Sequence, residues 1–144
     1  MKKYVFAIAM VALVLQSFNS ISKDKATYTA KKETKKEVHV VADKGADVYS
    51  KVCIACHQAN GQGIPGAFPP LAKSDFLNKD VNRAIGIVKK GHTGAITVNG
   101  AKFNGSMPNP NLTEQQVADV LTYVYGQWGN SKKVVTLAMV KAHK

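Results

Sequence analysis

Cysteine is nearly absent from this chain: Cys53 and Cys56 are the only two in 144 residues. Such a close pair can be a redox disulfide, part of a zinc site, or an anchor for a covalently held group. A structural zinc site needs four ligands, and no Cys or His pair at finger spacing follows Cys53, Cys56 and His57. A thioredoxin-like disulfide sits beside a βαβ pattern, and none is visible. Long apolar runs are absent too. The longest, Tyr4 to Leu15, falls short of the ~20 residues that a membrane-spanning helix needs. Acidic residues are scarce, nine against twenty Lys and Arg, for a net charge of +11.

That charge is unevenly placed. Residues 23–41 hold six lysines and three acids, and residues 131–144 form a second lysine-rich segment. Residues 43–130 carry eight basic and six acidic side chains, only +2. The basicity therefore belongs to the ends, where it favours solubility and peripheral attraction to anionic lipid or an acidic partner. No nucleic-acid partner is expected, and a monomer is.

At the N-terminus, Lys2 and Lys3 precede the apolar run, and small and polar residues come after it. This order matches a secretory signal peptide, expected over 1–20 and implying export to the periplasm, with a retained anchor as the rival. A basic linker over 21–42, a folded domain over 43–130 and a basic C-terminal tail over 131–144 complete the expected organisation.

Three helices are expected in the folded domain. One covers 43–53, with Asp43 as cap and Ala46, Tyr49 and Val52 or Cys53 on one face. A second covers 78–91, opened by Asn78 or Lys79 and stopped by Gly91. The third covers 112–128, where Thr113 and Gln116 form a capping box ahead of Val117, Val120, Leu121 and Val124. The run Ala95–Val98 can pair as a strand but is too short to define a sheet. Long turn-rich loops in so small a domain imply that something besides the chain fills its centre.

The stretch CIACH, Cys53 to His57, has the pattern of a c-type haem attachment site. Two cysteines three apart reach the two vinyl groups of one porphyrin edge, and the histidine after them stands under the iron. Export into an oxidising compartment, where free thiols pair, is compatible with cysteines already used in thioethers. Cys53 and Cys56 are thus the candidate anchors and His57 the candidate proximal ligand. The occupant of the sixth iron position separates an electron carrier from a haem enzyme or gas sensor. Met107, on a polar loop ahead of Pro108, is the candidate there. His92 is the rival, and His39, His143 and Met139 lie near the ends.

With these residues in place the chain resembles the class I, mitochondrial-type c-type cytochromes over residues 43 to about 128. The resemblance rests on Cys53–His57, the Met107–Pro108 pair and the closing amphipathic helix. Gly45 and Tyr49 match the glycine and aromatic of that family's first helix, and Tyr123 the aromatic of its last. Pro69–Leu71 is similar to its P-x-L segment. The resemblance implies an all-α class I cytochrome c fold around one haem c. It also implies that the first and last helices cross at Gly45, and that the Pro69 carbonyl accepts the ring N–H of His57. A narrower resemblance, through residues 63–77, 96–100 and 120–130, is to haem c domains fused to copper nitrite reductases and to related stand-alone cytochromes. His92 stands where those proteins imply an apolar residue, and the chain has no copper domain. The implied activity is not catalysis but one-electron transport between redox proteins, an upstream donor and a reductase or terminal oxidase, in respiration or denitrification. Phe68, Leu71, Ile85, Val88, Phe103 and Leu121 are the candidate pocket residues, with Tyr49 and Trp128 as candidate hydrogen-bond donors.

Overall fold

The computed structural model describes residues 40–144. The expected signal peptide, most of the expected linker and His39 lie outside the described residues. Helix α1 runs through residues 40–57, with a π-helical turn at Tyr49–Cys53 and a final α turn at Ile54–His57. Two short helices come next, α2 at Asp75–Lys79 and α3 at Val81–Lys90. Then come a hairpin of β1 (His92–Val98) and β2 (Ala101–Met107), the long helix α4 (Glu114–Gly126) and the short helix α5 (Leu137–Ala142).

Helix α4 is the spine, and its sequence explains it. Thr113 accepts from the Gln116 N–H while the Gln116 side chain accepts from the Thr113 N–H. This reciprocal cap satisfies donors that a helix start leaves open. Behind it Val117, Val120, Leu121, Val124 and Tyr125 are buried. Helix α1 crosses α4 at Gly45, where a methyl group would run into the Asp119 carbonyl and lie 2.6 Å from Tyr123 Cβ. Only a residue without Cβ lets the two backbones meet. One turn on, Tyr49 packs against Tyr123 and Trp128, with ring centroids 5.6 and 5.2 Å away. The helix crossing that the resemblance implied is present.

Four expectations are corrected. Helix α1 is already under way at residue 40, so Asp43 lies within it and does not open it. The helix expected over 78–91 is two helices. Asp80 takes an extended backbone, φ −147° and ψ 105°, and its carboxylate accepts from the Arg83 N–H to cap α3, while Ser74 caps α2. An aspartate ahead of a periodic apolar run favours a fresh N-cap over a continued helix.

The fold is not all-α. Seven residue pairs join β1 to β2 in antiparallel register, from His92 opposite Met107 to Val98 opposite Ala101. The turn is Asn99–Gly100, at φ 50° and 80°, the positive-φ pair that a two-residue hairpin loop requires and that Asn-Gly provides. Thr93, Ala95 and Thr97 face out, while Ile96, Val98 and Phe103 face in.

Residues 131–144 are not a loose tail. Val135 and Val140 are buried, and α5 packs on α4. Thr122 donates to the Val135 carbonyl and accepts its N–H, at 3.1 and 3.0 Å. The Lys89 ammonium closes the last turn through the Val140 and His143 carbonyls, at 3.0 and 2.9 Å. Val140 is fully buried, so Val140→Ala should cost about 2 kcal/mol in thermal unfolding of the holoprotein. A detached tail would show a change within about 0.5 kcal/mol.

Candidate functional site

The sequence places its chemistry at the end of α1. The π turn is the local device: the Ile54 N–H donates to the Tyr49 carbonyl, five residues back. One extra residue in a helical turn re-aims the side chains beyond it, and such turns concentrate at functional sites. Cys53, which ends this turn, and Cys56 and His57 beyond it all line one cavity. Gln58, at φ 63°, stops the helix, and its carbonyl accepts the Tyr49 hydroxyl at 2.8 Å. Tyr49 is therefore a hydrogen-bond donor as expected. Trp128 packs as the third ring of the aromatic cluster, 5.9 Å from Tyr123.

The cavity has a volume of about 200 Å³. Its walls are almost wholly apolar and come from four parts of the chain. The end of α1 gives the two sulfurs and the imidazole. The loop after it gives Phe68, Pro69 and Leu71; α2 and α3 give Phe76, Leu77, Ala84 and Ile87. The inward face of the hairpin gives His92, Ile96, Val98, Phe103 and Met107.

Of the expected pocket residues, Phe68, Leu71 and Phe103 line this cavity, whereas Ile85, Val88 and Leu121 belong to the solid core behind it. Phe76, Leu77, Ile87, Ile96 and Val98 take their place. Periodicity says that such side chains point inward. It does not say whether a cavity or packed protein lies there.

His57 Nδ1 lies 3.0 Å from the Pro69 carbonyl. A carbonyl only accepts, so Nδ1 carries the ring proton and Nε2 keeps its lone pair. Burial holds the His57 pKa below the usual imidazole value, and the bond to Pro69 opposes this only in part. The ring is therefore neutral at physiological pH, as a metal ligand must be. The Cys53 thiol is pushed up to about 11 by burial and then by Cys56.

The loop that carries Pro69 is itself anchored. The Gly61 carbonyl accepts the N–H groups of Leu71 and Ala72 at 2.7 and 2.8 Å. The buried Asn130 amide donates to the Leu71 and Val124 carbonyls at 2.9 and 3.0 Å. Asn130 thus ties the Pro69 loop to the end of α4. Sequence reading misses it, because a lone asparagine after a helix looks like an ordinary turn residue.

Met107 ends β2, and its backbone is backed by Gly91 at φ 79°. A methyl group there would meet Asn109 N at 2.9 Å and Pro108 C at 3.0 Å. Glycine alone permits both the turn and the close approach.

The donor set suits a haem. An imidazole with a fixed proton, a thioether and two thiols three apart converge on an apolar hollow that no side chain fills. Nitrogen and sulfur are the axial ligands of low-spin haem iron, and cysteine thiols attach the ring. Among the described residues no group of three or more His, Cys, Asp or Glu side chains could hold a bare metal ion.

Comparison with known proteins agrees with this site. Residues 42–128 match the family described as cytochrome c. The chain is 44% identical over 95 residues to cytochrome c-552 of Thermus thermophilus, covering 62% of this chain and 72% of that one. It is 33% identical over 90 residues to the cytochrome c subunit of a quinone alcohol dehydrogenase from Gluconacetobacter polyoxogenes, over 60% of this chain. It is 31% identical over 137 residues to the gluconate 2-dehydrogenase cytochrome c subunit of Pantoea cypripedii, over 91% of this chain. The matches span only 19% and 31% of those two subunits.

Proposed function

This chain belongs to the cytochrome c family and carries one covalently bound haem c, and from that premise we propose that it is a single-electron carrier with His57 and Met107 on the iron. The observation that supports this most is the shared cavity: His57, Met107, Cys53 and Cys56 all line it, and the His57 proton is tied to Pro69. When bound, the haem supplies a one-electron ferric/ferrous couple.

The chain's residues then determine how that couple behaves. Cys53 and Cys56 hold the ring by thioethers. His57 offers Nε2, and its bond to the Pro69 carbonyl fixes the ring's orientation and raises its basicity. Met107 offers a neutral, polarisable sulfur, which favours the reduced state and raises the potential. The apolar walls act in the same direction, because they solvate the extra charge of the oxidised state poorly. Gly91 and the hairpin hold the Met107 backbone in place, so little rearrangement opposes transfer.

The docking surface lies around the exposed end of α1 and the loop after it. Val52 and Ile64 are exposed, at 41% and 39%, and the one charged pair beside Val52, Lys51 with Asp47, neutralises itself. A small, partly apolar patch of this kind suits transient redox encounters. The partners proposed are an upstream donor and a reductase or terminal oxidase, met in the periplasm after export. The basic segments add salt-dependent attraction to anionic lipid or acidic protein. Among the described residues no helix is long and apolar enough to cross a membrane.

A potentiometric titration of the exported holoprotein tests the reading. A reversible one-electron transition at positive potential, with no change of the ferrous spectrum under carbon monoxide, is expected. A ferrous spectrum that shifts promptly with carbon monoxide would replace the carrier by a haem enzyme or gas sensor with a labile sixth ligand.

A further inference from the structure

His92 opens β1 directly opposite Met107, which ends β2. Directly paired residues on one face of an antiparallel ladder hold their Cβ atoms ~4.5–5.5 Å apart. Both side chains line the same cavity. His92 Nε2 is buried and has no hydrogen-bond partner. Leaving a buried polar nitrogen unpaired is unfavourable, and the resemblance implied an apolar residue at this position. An imidazole there is a second good iron ligand beside the first.

We propose that His92 is a reserve axial ligand, poised to take the sixth iron position when the Met107 thioether leaves it. The proposal rests on the His57/Met107 reading above. The exchange is a simple substitution. The iron–sulfur bond breaks and the Met107 sulfur keeps its lone pair. An iron–nitrogen bond forms from the lone pair of His92 Nε2, the ring proton stays on Nδ1, and no electron is transferred. The open end of the hairpin makes this local: both residues sit where the two strands part, so a small shift there trades one ligand for the other while the Asn99–Gly100 turn stays fixed. Two imidazoles favour the oxidised state more than imidazole and thioether do, so the exchanged form carries a lower potential and keeps the iron closed to small ligands.

The test uses holoprotein variants at Met107, both Met107→Leu, which keeps apolar volume, and Met107→Ala, each with and without His92→Leu. The readouts are near-infrared magnetic circular dichroism, reduction potential and carbon monoxide affinity. The single Met107 variants are expected to lose the sulfur-to-iron band, gain the signature of two imidazoles and stay low spin at lower potential. The double variants are expected to be high spin. If His92 leaves the site open about 1% of the time, carbon monoxide binds the single variants about 100-fold more weakly than the double ones. High-spin single variants that bind carbon monoxide as tightly as the double ones would overturn the proposal and leave the His57/Met107 reading standing. Loss of the low-spin spectrum in His92→Leu alone would make His92 the resident ligand and overturn both.

Discussion

The double variant Cys53→Ser/Cys56→Ser, produced without haem, is expected to show no cooperative unfolding transition by circular dichroism. The reason is the size of the hollow. A core void costs about 24 cal/mol per Å³ when its walls do not collapse. The cavity of about 200 Å³ left empty would thus cost about 5 kcal/mol, which reaches the lower end of the whole stability of a domain, about 5–15 kcal/mol. The remaining core is small. Val48, Tyr49, Leu77 and Ile85 join the buried face of α4 and Val135 and Val140 behind it, and the hairpin packs mainly on the cavity. Haem is therefore part of the core, and the chain without it should collapse without a fixed structure. A sharp thermal transition in the haem-free double variant would show that the protein walls alone suffice.

Gly45→Val should lower the stability of the holoprotein by about 3 kcal/mol, the upper part of the range for overpacking a tight contact. For a domain of this size that corresponds to a fall of about 12–24 °C in the midpoint. Both groups facing Gly45, the Asp119 carbonyl and Tyr123 Cβ, belong to α4 backbone or sit beside it, so neither can swing away and the helices must part. Because α1 carries Cys53, Cys56 and His57, the variant should also release the haem environment earlier than the far-ultraviolet signal on heating. A midpoint equal to wild type would mean that the crossing at Gly45 is looser than the geometry shows.

Legibility in the sequence depends on whether the signal is local. The capping box at Thr113 and the three-and-four repeat behind it are local, and α4 stands where they put it. Cys53, Cys56 and His57 are local as well, and they share one cavity with the more distant Met107. The Pro69 carbonyl is legible only through resemblance, because no pattern of residues says which carbonyl a loop will turn toward a ring nitrogen. The hairpin is longer than Ala95–Val98 suggests, and the Asn99–Gly100 pair between alternating residues is its stronger signal. Residues 131–144 look like a tail because four lysines and a histidine are spread among Val135, Leu137 and Val140. Those three matter only once the back of α4 offers a surface, and that surface is tertiary. Asp80 fits a continuous helix by position, although an aspartate before Val81 caps more readily than it continues.

The central claim is that Met107 and His57 hold the iron of a low-spin electron carrier. The most direct measurement is the proton NMR spectrum of the ferrous holoprotein, grown with methyl-labelled methionine. The account predicts one methionine methyl line shifted far upfield by the porphyrin ring current, absent from Met107→Ala. A spectrum in which every methionine methyl line lies in its ordinary range, with Met107→Ala unchanged around the haem, would contradict it.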